Sequence, residues 1–325
     1  MTVSGFRPLF ANAHLQTIAA NFWPRKLDLL RYPVESRFFR TEPGVRVLVE
    51  TQRPEGPPAG EIVLVHGLEG SGQSGYMRGM AQAALEAGFL AHRFHMRTCG
   101  GAENLCPTLY HAGLTGDLLA FLRELQNQNR LPVYLVGFSL GGNVVLKLAG
   151  ELGEQAAPLI AGLCAVSTPI DLAACARRID RWDNRLYERR FLKRMRARLR
   201  ATGRLAEARR KYRSIYEFDD AVTGPSFGFR NAEHYYATQS SNQFLDRIRV
   251  PALLIQAKDD IFVPFETFDH PAFRSNPWLE LVATSHGGHA GFIARGGPRF
   301  WLDRAVLAWI HSRNGALQSS TIALE

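Results

Sequence analysis

Cysteine is scarce in this chain, and what there is forms no pattern. Cys99, Cys106, Cys164 and Cys175 are spread over 325 residues with no C-x-x-C and no Cys/His cluster. That spacing argues against a metal site and a disulfide framework, and free thiols in a reducing compartment are the expectation. Long apolar runs are missing too. The longest, around residues 131–150, is broken by a glycine-rich turn and by Lys147, so it reads as core and not as a membrane span. No N-terminal stretch has the charged, then apolar, then small-residue order of a secretory signal. Repeats and low-complexity segments are absent, and no nucleic-acid recognition module accompanies the basic charge. The expectation is a soluble cytoplasmic protein with no metal and no nucleic-acid partner, and with enough chain for one large domain.

What is present is alternation. A hairpin-like pair, Arg37–Thr41 and Val45–Glu50, flanks Glu42-Pro43-Gly44. Apolar, β-branched runs follow at Glu61–Val65, Leu90–Phe94, Leu131–Val136, Leu159–Val166, Pro251–Gln256 and Leu279–Ala283. Helical patterns near Tyr76–Ala87, Leu114–Leu125, Asn143–Leu152 and Arg299–Arg313 separate or follow them. Strands alternating with helices predict an α/β fold, a mostly parallel sheet covered on both faces. The tails, Met1–Gly5 and Asn314–Glu325, read as weakly ordered.

The chemistry concentrates at strand ends. Gly137-Phe138-Ser139-Leu140-Gly141 lies between a strand run and a helical run, so Ser139 sits at the apex of a sharp turn. Glycines beside it let strand and helix approach closely, and the Leu140 amide falls at a helix N-terminus that favours negative charge. A serine is a poor nucleophile without a base, and the chain supplies an acid and then a histidine in the required order. Asp259 and Asp260 follow the run Pro251–Gln256, and His286 and His289 follow Leu279–Ala283. Carboxylates and imidazoles just past strand C-termini share one rim of an open sheet. The turn His66-Gly67-Leu68-Glu69-Gly70-Ser71, after an early strand, offers the Leu68 amide as partner to that of Leu140 in an oxyanion hole. His66 is expected to hold this loop by a hydrogen bond.

Charge gathers in one segment. From Asp171 to Arg213 there are 16 Lys/Arg against 5 Asp/Glu, a surplus of 11, while the whole chain carries +9. Phe191, Leu192, Met195 and Leu199 recur there at helical spacing with arginines between them. The segment reads as an amphipathic helical cap whose arginines are solvated or paired. A landing face for an anionic membrane or an acidic substrate is the sharper alternative.

With these residues in view, the chain resembles the α/β-hydrolase superfamily, and within it the YheT-like branch related to ABHD1/ABHD3-type hydrolases. The likeness is carried by Asn12–Thr17 and the segments 66–81, 95–101, 109–118, 137–143, 217–229, 257–264 and 287–292. It implies one α/β-hydrolase domain over residues 1–325, with a basic helical cap over 171–246 inserted between core strands. It implies a triad of Ser139, Asp260 and His289, an oxyanion hole of Leu68 and Leu140, and no cofactor. Asp260 is taken over Asp259 because it opens the D-x-x-V-P pattern of acid loops in this fold. His289 is taken over His286 because it stands between Gly287-Gly288 and Ala290-Gly291-Phe292. Family members with an N-terminal membrane anchor differ, since no such segment is seen. The loop His95–Gly101 departs from the Arg-Gly-Cys-Ser-Gly form of some relatives, and Cys99 is expected to be a buried structural thiol. Asn12–Thr17 and Tyr235-Tyr236 either line an acyl pocket or pack the arm and cap against the sheet.

The function implied is hydrolysis of short-chain or lipid carboxylic esters through an acyl-enzyme. Thioesterase, amidase and acyltransferase chemistry would use the same residues. A catalytically silent membrane-surface binding protein is the alternative of another class, and the intact set of nucleophile, acid, base and oxyanion turn speaks against it. A serine at the elbow also argues against chemistry that needs an aspartate nucleophile there.

Overall fold

The computed structural model describes residues 5–25, 27–128 and 131–322, with side chains described as far as residue 315. Its frame is an eight-stranded sheet. In chain order the strands are β1 (Glu35–Glu42), β2 (Val45–Gln52), β3 (Glu61–Val65), β4 (Leu90–Phe94), β5 (Val133–Phe138), β6 (Gly162–Val166), β7 (Ala252–Ala257) and β8 (Leu279–Thr284). They lie side by side as β1-β2-β4-β3-β5-β6-β7-β8. The first three of that order pair antiparallel, and every pair from β4 to β8 is parallel. Every residue of β3, β5, β6 and β7 is buried, as expected of strands covered on both faces.

Side chains that alternate along β3 divide the interior in two. Ile62 and Leu64 face the layer formed by helices Gly75–Glu86 and Trp301–Ile322. Val63 and Val65 face the layer that includes helix Leu140–Leu152 and the helices between β6 and β7. Among the latter, helix Arg185–Ala201 buries Leu192, Met195 and Leu199, three positions of one helical stripe, against the sheet side. The amphipathic pattern read from the sequence thus faces the core. No helix among the described residues is long and apolar enough to cross a membrane.

Several boundaries shift by two or three residues from expectation, and two differences have a visible cause. Leu159 and Ile160 do not open β6; their amides bond back to the Ala156 carbonyl at 2.9 and 2.8 Å, closing a turn before the strand begins at Gly162. The last helix does not end near Arg313. Asn314 is buried, accepts from the Tyr134 hydroxyl at 3.3 Å and donates to the Ala59 carbonyl at 3.2 Å, which ties that turn to the sheet. Of the expected loose tails, residues 1–4 and 323–325 lie outside the described residues. The parallel register brings the C-terminal ends of β3, β5, β6, β7 and β8 to one rim, and the candidate residues follow those ends.

Candidate active site

β5 passes into helix Leu140–Leu152 through Ser139, whose φ of 51° and ψ of −121° lie where side-chain-bearing residues rarely go. Such a residue costs on the order of 1–3 kcal/mol, so the surroundings must hold it there. A Cβ at Gly141 would stand 2.3 Å from the Val65 carbonyl oxygen, and one at Gly137 would stand 2.4 Å from the Gly141 carbonyl oxygen. Only glycine fits at either place. The Ser139 amide donates to the Val166 carbonyl at 2.8 Å, which fixes the apex against the end of β6.

The Ser139 hydroxyl lies 2.9 Å from Nε2 of His289, and Nδ1 of His289 lies 3.0 and 3.1 Å from the two carboxylate oxygens of Asp260. The Asp260 side chain is fully out of solvent. It also accepts from the amides of Phe262 and Val263 at 2.9 and 3.1 Å and from the Gln256 side chain at 3.1 Å. These donors satisfy a buried carboxylate that would otherwise be costly. In this geometry Nδ1 of His289 donates to Asp260 and Nε2 is left to accept from the serine hydroxyl.

The neighbouring acid and histidine make a pair of their own. Nδ1 of His286 lies 3.1 Å from Asp259, which also takes the Gly288 amide at 2.9 Å. This second pair is at the surface, with the His286 side chain 47% exposed, and it braces the loop beside the first. The structure therefore brings Asp260 and His289 to the serine and leaves Asp259 and His286 beside them.

The turn after β3 has its amides largely occupied. The Gly67 amide donates to the Tyr76 hydroxyl at 3.0 Å, the Glu69 amide to the Tyr110 hydroxyl at 2.8 Å, and the Gly70 amide to the Gly67 carbonyl at 3.0 Å. Among the described residues the Leu68 amide has no such acceptor. The Leu140 amide opens its helix and so has no intrahelical acceptor either. Both residues line the same cavity as Ser139 and His289. His66 is fully buried, donates through Nδ1 to the Gly67 carbonyl and accepts the Met96 amide on Nε2 at 3.1 Å. Burial pulls its imidazole down to about 3, so it stays neutral and serves the loop.

Three residues given no individual role from the sequence hold the histidine loop. Thr17 Oγ1 accepts the His289 amide at 2.9 Å, and Ser167 Oγ accepts the Ala290 amide at the same distance. Gln16 donates to the Gly291 and Ile293 carbonyls. A Cβ at Gly288 would stand 2.4 Å from Thr17 Oγ1, so the close approach of the N-terminal arm needs that glycine. The motif Asn12–Thr17 thus packs the arm, with Thr17 also at the cavity wall, and Tyr235 and Tyr236 line the same cavity. Thr17 and Gln16 were legible only as part of a quoted motif. Ser167 gave no signal.

The cavity measures about 410 Å³, within the range of small-molecule sites. Its lining is mostly aliphatic and aromatic, with two buried acids, Glu69 and Asp219; the latter accepts from Thr223 and Tyr236 hydroxyls at 2.6 and 2.7 Å. Burial pushes the Asp219 carboxyl up to about 6. The cap arginines do not form one solvated face. Arg198 is drawn inward, with Nε and Nη2 at 3.1 and 3.0 Å from the Glu69 carboxylate, its guanidinium over the Tyr110 ring and a further bond to the Thr98 carbonyl. It also lies 3.0 Å from the Cys99 sulfur. Cys99 is buried, and burial pushes its thiol up to about 12, which is the chemistry of a structural residue. Arg196 donates to the Ala208 carbonyl at 3.1 Å within the cap.

Comparison with known proteins agrees with this arrangement of strands. A family model described as the alpha/beta hydrolase fold matches residues 61–295. YheT of Escherichia coli K12, provisionally named an esterase, is 34% identical over 320 residues, 93% of this chain and 91% of that protein. The chain belongs to the α/β-hydrolase family, in its YheT-like branch. This α/β-hydrolase is also 30% identical over 258 residues to a protein of Saccharomyces cerevisiae named monoacylglycerol lipase, covering 74% of the chain and 56% of the yeast protein. The solved esterase Pf2001 of Pyrococcus furiosus shares its fold, with a TM-score of 0.55 at 18% identity, over 83% of this chain and 91% of that one. The hydrolase is thus of the esterase/lipase type.

Proposed function

We propose that this α/β-hydrolase cleaves carboxylic esters through an acyl-enzyme formed on Ser139. The observation that carries the reading is the unbroken set of contacts from Ser139 Oγ through His289 to the buried Asp260. Ser139 attacks the ester carbonyl as Nε2 of His289 takes its proton. Asp260 holds the imidazole in the right tautomer and stabilises its cation. The Leu68 and Leu140 amides take the oxyanion; one such donor is worth about 2.7–4 kcal/mol of barrier. The imidazolium then returns the proton to the departing alkoxide, and water repeats the cycle on the acyl-enzyme. The mostly apolar cavity and the lipase name of the yeast relative support an acyl chain as its occupant.

The test combines a probe and a substitution. A fluorophosphonate should label the wild-type protein and not Ser139→Ala, and para-nitrophenyl ester turnover should fall on the order of 10⁴–10⁶-fold in that variant. Near-normal turnover in a folded Ser139→Ala protein would sink the assignment. A ladder of nitrophenyl esters from acetyl to palmitoyl then fixes the acyl length.

A further inference from the structure

One face of helix Arg185–Ala201 roofs the cavity. Tyr187, Arg190, Phe191, Arg194, Met195 and Arg198 all line it, at the spacings of a single helical stripe. Three of these are arginines in a row four residues apart. Arg198 is neutralised by Glu69. Arg190 and Arg194 are exposed, and among the described residues neither has a carboxylate partner. The acids of the cavity wall are Glu69, committed to Arg198, and Asp219, committed to Thr223 and Tyr236. Two fixed positive charges are therefore left facing a site that otherwise suits an apolar chain.

Their helix places both at the cavity wall. The Arg190 guanidinium stands 6.0 Å from the Phe22 ring, and Phe22 lines the cavity from the N-terminal helix. Arg194 lines the same cavity wall one helical turn further along. One arginine thus stands beside Phe22 and the next follows it along the same cavity wall. Cβ atoms four apart on a helix are about 5–6 Å apart, so both forks can converge on one oxyanion group.

We propose that Arg190 and Arg194 form an anion subsite, and that the substrate is an ester carrying a carboxylate or phosphate group at the solvent end of the cavity. This rests on the ester-hydrolase reading and narrows it to a substrate class. Charge-assisted bonds from arginine to such a group are strong where solvent is partly excluded.

The experiment is a ratio of kcat/KM for charged and neutral esters. The soluble arm pairs the mono-para-nitrophenyl ester of a dicarboxylic acid with the neutral acyl ester of equal chain length. The lipid arm pairs phosphatidic acid with diacylglycerol in mixed micelles and separates a phosphate headgroup from a free carboxylate. In at least one arm the wild-type ratio should be about tenfold or more. It should fall by about tenfold in Arg190→Gln/Arg194→Gln, stay high in Arg190→Lys/Arg194→Lys at low salt, and not change in the exposed control Arg200→Gln. A wild-type ratio of one or less in both arms, or a ratio unmoved in the glutamine double variant, overturns the subsite. If neutral esters still turn over in a Ser139-dependent way, the hydrolase reading survives that failure. If no ester turns over and no fluorophosphonate labels Ser139, the hydrolase reading fails. Calorimetric titration of octyl phosphate against octanol then decides the subsite, which requires tighter binding of the phosphate and its loss in the double variant.

Discussion

Arg198→Met isolates what the cap does for the turn after β3. The Arg198 and Glu69 side chains are 12% and 5% exposed, and their contact is bidentate. Glu69 also occupies a positive φ of 56°, a conformation that a non-glycine residue keeps only when its neighbours hold it. Removing the guanidinium leaves a buried carboxylate with the Tyr110 hydroxyl, 3.1 Å away, as its remaining side-chain donor. Breaking one partner of a buried pair costs about 3–5 kcal/mol. Unfolding entropy of about 2.1 cal/mol/K per residue gives roughly 0.7 kcal/mol/K for a chain of this length, so the melting temperature should drop by about 4–7 °C. Arg200→Met, at an exposed position on the same helix, should stay within about 0.5 kcal/mol of wild type.

The same substitution should reach the chemistry. Leu68 stands immediately before Glu69, so a Glu69 released from Arg198 no longer fixes the direction of the Leu68 amide. Turnover of a small soluble ester should fall toward, and not beyond, the 10²–10³-fold expected for losing one oxyanion donor. Glu69→Gln/Arg198→Met should recover much of the lost stability, since it removes both charges together. Thermal melts and nitrophenyl acetate kinetics on the singles, the double and Arg200→Met are sufficient. Equal melting temperatures for Arg198→Met and Arg200→Met, or a double no more stable than Arg198→Met, would refute the reasoning.

His289→Ala should lose nearly as much turnover as Ser139→Ala, because a triad acts as a unit, while His286→Ala should cost at most about 1 kcal/mol of stability and little activity. The reverse ranking in nitrophenyl ester assays would make His286 the base. Asp219 has a folded pKa raised to about 6, so it binds its proton more tightly folded than unfolded. Its contribution to stability is therefore greatest below the ordinary carboxylate range and falls as pH rises from about 4 to about 6. Asp219→Asn should flatten that fall by about 3 kcal/mol in denaturant melts across this range, and an unchanged pH profile would show that Asp219 is not the group responsible.

The sheet and the meeting of Ser139, His289 and Asp260 were legible because each rests on local signals. The all-buried strands read as short apolar runs, and Ser139, Asp260 and His289 each follow such a run on one rim. The choice between the two Asp and the two His was harder for a physical reason. Asp259 pairs with His286 much as Asp260 pairs with His289, so spacing alone fits either register, and burial separates them. Ser167 and Thr17 escaped because a hydroxyl that accepts one loop amide needs no motif around it.

The cap shows where periodicity stops being informative. Spacing told which residues of helix Arg185–Ala201 face inward as apolar anchors, and Leu192, Met195 and Leu199 are there. It could not tell Arg198 from Arg200, because a long cationic side chain at the edge of an apolar stripe reaches either water or a partner. Which it reaches depends on Glu69, 129 residues earlier in the chain, and on Tyr110, both placed by other strands of the sheet. The charged helix face, read as arginines solvated or paired, is thus divided by tertiary contact: Arg198 turns inward to Glu69, Arg196 bonds the Ala208 carbonyl, and Arg190 and Arg194 line the cavity. The contacts at the rim and those at the roof are consequently set by different parts of the chain, one written in short motifs and the other only in the fold.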